Sequence, residues 1–206
     1  MIECKEGVLD CDGVPLRYAE SGKGRAVVVL PAESGVVFDD IATALATDHR
    51  VIVFDVSASL GGNMQEFAEH FSQALARLGV ASFSLVGISP GATLALAQAV
   101  YAPGQIDRLI LLSPLLAIMQ YTELGAKLRR VKAPTLVLVG TRDRSGSREA
   151  GRFCREHIPT CHLLLVYEAG HAIAADRREA CLSPTREFLE QGEGFIVSHE
   201  SQLIRP

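Results

Sequence analysis

A β-leaning apolar run beginning at Ser82 ends at Gly87, a Gly-x-Ser-x-Gly pattern follows through Gly91, and a Leu- and Ala-rich segment continues to Ala97. The pattern is that of a strand, a sharp turn and a helix packed against a sheet. Such a turn needs glycines, because the backbone folds back tightly and strand and helix approach closely. It holds the central Ser89 hydroxyl out at the carboxyl end of the strand, which makes Ser89 a candidate nucleophile. Pro90 follows it, at the first helical position, where proline is favoured.

The rest of the chain repeats this alternation. Two short segments, Val8 to Cys11 and Val14 to Ala19, flank Asp12-Gly13, a strong hairpin signal. Ala26 to Leu30 and Val51 to Asp55 are continuous apolar runs suited to strands buried on both faces. Further strands are predicted at Leu109 to Leu112, Thr135 to Val139 and Leu163 to Val166. Helices are predicted from Phe38 to Thr47, from an Asn63 capping box to about Leu78, from Leu116 to Arg130, from a Ser147 cap to about His157, and from Ile173 to Gln191. Pro184 is expected to bend or split the last of these. The pattern implies an α/β fold: βαβ crossovers building a mainly parallel sheet covered by helices on both faces, with the N-terminal hairpin as an antiparallel edge.

At 206 residues, 48% of them hydrophobic, the chain is long enough for one domain with a sizeable core. Residues 1–192 are assigned to it, and 193–206 to a C-terminal tail whose one packing signal is Phe195-Ile196-Val197. Disorder and docking on the body or on a second subunit are both open for that tail. A formal net charge of −4 gives no footprint for nucleic acid. The longest apolar stretch, Leu109 to Met119, is broken by Ser113-Pro114 and too short for a bilayer, and residues 1–6 lack a signal-peptide core. A soluble cytoplasmic protein is the expectation, with no membrane partner. The five cysteines show no C-x-x-C spacing, which argues against a disulfide framework and a zinc site. Cys154 and Cys161 flank a helix end and a strand start, where plain packing or a redox pair are the two options.

Ligands in open α/β sheets bind outside the carboxyl ends of the strands. Asp143 follows the strand ending at Val139, and His171 the one ending at Val166, so the chain order is Ser89, Asp143, His171. A serine hydroxyl is a weak nucleophile until a base takes its proton, an imidazole is that base, and a carboxylate fixes its tautomer. Each residue also has an ordinary role open to it: Ser89 as a helix cap, Asp143 as a turn former, His171 as a loop histidine.

On these motifs the chain resembles the α/β-hydrolase fold superfamily over nearly its whole length. Gly87-Ile88-Ser89-Pro90-Gly91 is similar to the nucleophile elbow, Gly140-Thr141-Arg142-Asp143 to the acid loop, and Ala169-Gly170-His171 to the histidine loop. The resemblance implies a single-domain hydrolase fold, a Ser89-His171-Asp143 triad without cofactor or metal, and hydrolysis of an ester, thioester or related acyl bond. It also shows departures. The fold's oxyanion donors are the backbone N–H after the nucleophile and one from the loop after the third strand. Pro90 has no N–H. The other segment is Pro31-Ala32-Glu33-Ser34-Gly35, where the donor by analogy is Glu33 N–H and the Ser34 hydroxyl is a candidate substitute. The Arg-Gly-His-Gly-type loop common after the fourth strand is replaced by Asp55 to Gly62. Only Pro114 to Ala133 separates the sixth and seventh strands, enough for one helix but not for a cap domain.

That short segment implies an open, largely apolar site for a small-molecule substrate, with Leu116, Met119, Tyr121 and Leu124 divided between pocket and core. A site so open leaves a homodimer as an option, the second copy completing it. The readings that follow are a small serine hydrolase of the esterase type, a non-catalytic relative that binds an apolar ligand or a protein, and a cofactor-independent lyase using His171 as base.

Overall fold

A computed structural model of the chain describes residues 4–32, 34–35, 38–60, 62–115 and 123–194. Its first element is the hairpin. Strand β1 (Lys5–Cys11) pairs antiparallel with β2 (Val14–Ser21) from Cys11 opposite Val14 to Lys5 opposite Glu20. Asp12 and Gly13 both turn with positive φ, 53° and 84°, as a two-residue hairpin loop requires. The hairpin joins the sheet through β2, which runs antiparallel to β4 (Arg50–Phe54).

Among the described residues the sheet has eight strands in the order β1-β2-β4-β3-β5-β6-β7-β8. Strands β3 (Ala26–Leu30), β5 (Phe83–Ile88), β6 (Ile106–Leu112), β7 (Thr135–Gly140) and β8 (Cys161–Val166) are parallel to one another and to β4. The chain steps outward from β3 to β4, then returns across β3 to β5 and proceeds to the other edge. That reversal falls at β3 and β5, and the carboxyl ends of the strands at such a reversal are the place where doubly wound sheets bind ligands.

Alternate residues of the central strands feed two cores. Val28, Leu30, Leu85, Leu109, Leu111 and Val137 face α2 (Met64–Arg77), α3 (Pro90–Tyr101) and α5 (Ser147–His157). Val27, Val29, Val86, Ile110, Leu136 and Leu138 face α1 (Asp40–Leu45), α6 (Ile173–Asp176) and α7 (Arg178–Gln191). Burial on both faces explains the unbroken apolar runs in the sequence. Helix α3 is buried at every position from Gly91 to Val100, so its small residues let it sit deep on the sheet. A Cβ on Gly87 would lie 2.6 Å from Ala92 Cα and 2.7 Å from Ala95 Cβ, and this closeness is what the glycine permits.

Several helices differ from the sequence reading. Helix α1 is shorter than Phe38 to Thr47, because the Asp39 side chain accepts from Ala42 N–H at 2.8 Å and so fixes the start two residues later. Asn63 does cap the helix: its side-chain oxygen accepts from Gln65 N–H at 2.9 Å and Glu66 N–H at 3.3 Å, while Glu66 Oε1 accepts from the Asn63 side-chain amide at 3.0 Å in place of the backbone bond of a capping box. Between β6 and β7 the described residues form only α4 (Glu123–Ala126) and a 3₁₀ turn, Leu128–Arg130, with no inserted domain; residues 116–122 lie outside the described residues. The last helix is broken at Arg177 (φ −144°, ψ 62°), not at Pro184, which sits inside α7. Pro184 deprives the Ala180 carbonyl of its donor, but Ala180 is only partly buried, so water can serve it. No helix among the described residues is long and apolar enough to cross a membrane.

Candidate active site

Ser89 joins β5 to α3 with φ 52° and ψ −115°, a conformation L-residues rarely adopt. Neighbouring structure holds it there. Ser89 N–H donates to Leu112 O at 2.8 Å, Ala92 N–H donates to Ser89 O at 3.1 Å, and Gly91 lies so close to the Leu30 and Pro31 carbonyls that a Cβ would collide with both. Such backbone strain costs about 1–3 kcal/mol and persists only where the surroundings over-determine it. Although Ser89 occupies the cap position of α3, its side chain makes no capping hydrogen bond. Its hydroxyl lies instead 2.7 Å from His171 Nε2.

His171 and Asp143 come from neighbouring loops at the same end of the sheet. Gly140 closes β7 against the Ala169 and Gly170 carbonyls, where any Cβ would collide. The loops are then stitched together: Thr141 N–H to Val166 O at 3.0 Å, Arg142 N–H to Ala169 O at 2.9 Å, and Glu168 N–H to the Thr141 hydroxyl at 2.9 Å. Asp143 Oδ2 lies 2.8 Å from His171 Nδ1. The other carboxylate oxygen accepts from Ser145 N–H at 2.7 Å, so Asp143 closes its own turn as well as facing the imidazole. The three residues therefore form a continuous line, Ser89 Oγ to His171 to Asp143.

The Asp143 side chain is fully buried, whereas that of His171 is 36% exposed. Burial alone pushes the Asp143 carboxyl up, but the Ser145 N–H and hydroxyl, the His171 ring and the Ser147 hydroxyl outweigh it and hold the group below the usual carboxylate range. An ionised Asp143 accepts the Nδ1 proton, which leaves Nε2 as the acceptor for the Ser89 hydroxyl. This arrangement can take a proton from Ser89 and stabilise the imidazolium that results.

The oxyanion candidates are placed less completely. Pro90 is the first residue of α3, directly after Ser89, and offers no N–H there. Ala32 and Ser34 are exposed in the loop after β3, and Glu33 lies outside the described residues. Asp55 anchors this loop: partial burial raises its carboxyl, but bonds from the Ser57 hydroxyl, Ser57 N–H and Gly35 N–H, with Arg17 nearby, hold it below the ordinary value. Of the pocket candidates, Leu116, Met119 and Tyr121 lie outside the described residues, as does the side chain of Leu124.

Several residues of the site carry no sequence signal. Ser145 Oγ and Ser147 Oγ lie 2.9 and 3.3 Å from His171 Nδ1. Ser147 does not cap α5 as expected: Gly146, with φ 93°, takes the cap position and Ser147 is the first helical residue. Ser113, with φ 47° at the end of β6, donates its hydroxyl to the His171 carbonyl at 2.7 Å. Glu168 bridges the acid loop and the break before α7, reaching Arg142 at 2.7 Å and Arg177 at 2.8 Å. A polar residue just past a strand end was the available hint, but several others share it.

Cys154 and Cys161 are both free thiols, and Cys154 is fully buried. Burial pushes both thiols up, Cys161 to about 12, which disfavours the thiolate that redox exchange requires. This pair packs. Among the described residues no group of three or more His, Cys, Asp or Glu could hold a metal ion.

No family model and no curated protein matches the sequence. Solved structures do match in shape. A predicted CIB-like hydrolase from Thermoplasma acidophilum superposes with a TM-score of 0.76 at 18% identity, over 92% of this chain and 99% of that one. Carboxylesterase CesB from Bacillus subtilis gives 0.79 at 15% identity over 93% of both chains. Naproxen esterase, also from Bacillus subtilis, gives 0.77 at 13% identity over 92% of both. The sheet order, the strained turn at Ser89 and these likenesses agree: the chain has the α/β-hydrolase fold.

Proposed function

We propose that the protein is a serine hydrolase that cleaves a small, largely apolar acyl ester or thioester, with Ser89 as nucleophile, His171 as general base and Asp143 as the carboxylate that orients it. The observation carrying this reading is the hydrogen-bonded line from Ser89 Oγ through His171, at 2.7 and 2.8 Å, ending on a buried carboxylate. Neighbours named as carboxylesterases support esters as the first class to test.

In the reaction, His171 Nε2 takes the Ser89 proton as Oγ bonds to the acyl carbon. The tetrahedral intermediate collapses when His171 returns that proton to the leaving oxygen or sulfur. Water, deprotonated by the same nitrogen, then attacks the acyl-enzyme, and His171 passes that proton back to Ser89 Oγ as the acid leaves. Asp143 keeps the Nδ1 proton in place and stabilises the imidazolium in both halves. Pro90 supplies no oxyanion donor, and loss of one such donor costs about 10²–10³ in kcat, so a slow enzyme is expected.

A panel of p-nitrophenyl esters and acyl thioesters of increasing chain length tests the reading. Turnover that disappears in Ser89→Ala supports it, and no turnover above that variant across the panel refutes it. The missing N–H at Pro90 favours one rival, a non-catalytic protein of the same fold that binds an apolar ligand; it predicts unchanged ligand affinity in Ser89→Ala.

A further inference from the structure

His171 Nδ1 is surrounded by three oxygens: Asp143 Oδ2 at 2.8 Å, Ser145 Oγ at 2.9 Å and Ser147 Oγ at 3.3 Å. The two hydroxyls also lie 3.0 Å from each other. For His171 to act as a base, Nε2 must be bare and Nδ1 must carry the hydrogen. The competing tautomer places the hydrogen on Nε2, where Ser89 Oγ at 2.7 Å can accept it. In that form nothing is left to take the serine proton. The balance between the two tautomers is therefore set by the acceptors around Nδ1.

A carboxylate takes the Nδ1 proton first, because its bond is charge-assisted. The Ser145 hydroxyl then has its own proton free to donate to Asp143 or to Ser147, with its oxygen still turned toward Nδ1. Ser147 is wholly buried, and although its hydroxyl also bonds Asp143, its backbone is set by the start of α5, whose first turn is closed by Ala150 N–H to Gly146 O at 3.0 Å. The helix start therefore keeps Ser147 beside His171 whether or not the carboxylate is present.

We propose that Ser145, supported by Ser147, is a positioning residue that holds His171 in the Nδ1–H tautomer and becomes the acceptor for that proton when the Asp143 carboxylate is lost. The proposal rests on reading His171 as the general base. It makes the acid position of this site doubly provided, by a carboxylate and by a pair of hydroxyls.

The test compares wild type, Asp143→Ala, Ser145→Ala/Ser147→Ala and the triple variant, reading the His171 tautomer from its ring ¹⁵N shifts at a pH where the ring is neutral. Asp143→Ala is expected to keep the Nδ1–H form, and the triple variant to shift to Nε2–H. In parallel, kcat in Asp143→Ala should fall by less than the roughly 10⁴-fold that a wrong tautomer costs, with the triple variant losing the remainder. Should the triple variant fail to fold, Asp143→Ala/Ser145→Ala makes the same comparison, because Ser145 is exposed. An Nε2–H form already present in Asp143→Ala, or an Nδ1–H form surviving without the hydroxyls, overturns the proposal. The tautomer is read without turnover, so an inactive wild type with the expected shifts refutes the hydrolase reading and leaves this one standing.

Discussion

Replacing Pro90 with alanine restores a backbone N–H beside the nucleophile, and the structure allows its effect to be worked out. The first N–H groups of a helix have no acceptor within it, so the absent one costs α3 no hydrogen bond. The restored donor has no structural duty. It sits at the end of α3 that touches the loop after β3, where Gly91 abuts the Leu30 and Pro31 carbonyls. If oxyanion stabilisation limits the reaction, the new donor should lower the barrier by up to about 2.7–4 kcal/mol, or 10²–10³ in rate. Because the contact acts in the transition state, kcat should rise with KM nearly unchanged. Losing the proline frees the unfolded chain and should cost about 0.4–1 kcal/mol, a fall in Tm of a few degrees. Steady-state hydrolysis of p-nitrophenyl butyrate beside a thermal melt measures both. An unchanged or reduced kcat in a normally folded variant would refute the reasoning, since another group would then already supply the second donor. Ser34→Ala in the same background asks whether that group is the Ser34 hydroxyl.

The same geometry gives three more expectations. Ser89→Gly removes about 1–3 kcal/mol of backbone strain and adds about 0.5–1 kcal/mol of glycine entropy, so calorimetry should show a higher Tm in an inactive protein; a lower Tm would mean that the elbow is not strained. Gly140→Ala drives a methyl into the Ala169 and Gly170 carbonyls and should cost about 1–3 kcal/mol by urea denaturation while separating Asp143 from His171; wild-type stability would contradict the close approach. Because the folded-state pKa of Asp143 is depressed, its ionised form adds stability that is present above the ordinary carboxylate range and is lost as pH falls through the lower folded value. The stability gap between wild type and Asp143→Asn should therefore be widest near neutrality and close below about pH 4, and a gap independent of pH would speak against it.

Features made by neighbouring residues were legible in the sequence. The Asp12-Gly13 turn, the Asn63 cap and the glycines around Ser89 each act within a few residues, so their signal is local. Strand ends were legible too, and they located Ser89, Asp143 and His171 at one end of the sheet. What stayed hidden depends on contacts across the chain. Ser147 looks like a helix cap until β7 and β8 bring His171 beside it, and only then is its hydroxyl seen to face the imidazole. The last helix breaks at Arg177, whose side chain reaches Glu168 from the loop after β8, while Pro184, the obvious breaker, is accommodated inside the helix. The Pro90 departure was readable at once, because a missing N–H is a property of the residue itself.

The claim that Ser89 is an activated nucleophile is tested most directly by covalent capture. Folded protein is treated with a fluorophosphonate probe at neutral pH, and the adduct is mapped by peptide mass spectrometry, with His171→Ala as the control. The geometry predicts one adduct per chain, on Ser89, forming at least an order of magnitude more slowly in the control, roughly in line with the 10²–10⁴-fold contribution of a general base. Unlabelled Ser89 under conditions that fully modify a working esterase, or labelling equally fast without His171, would contradict it.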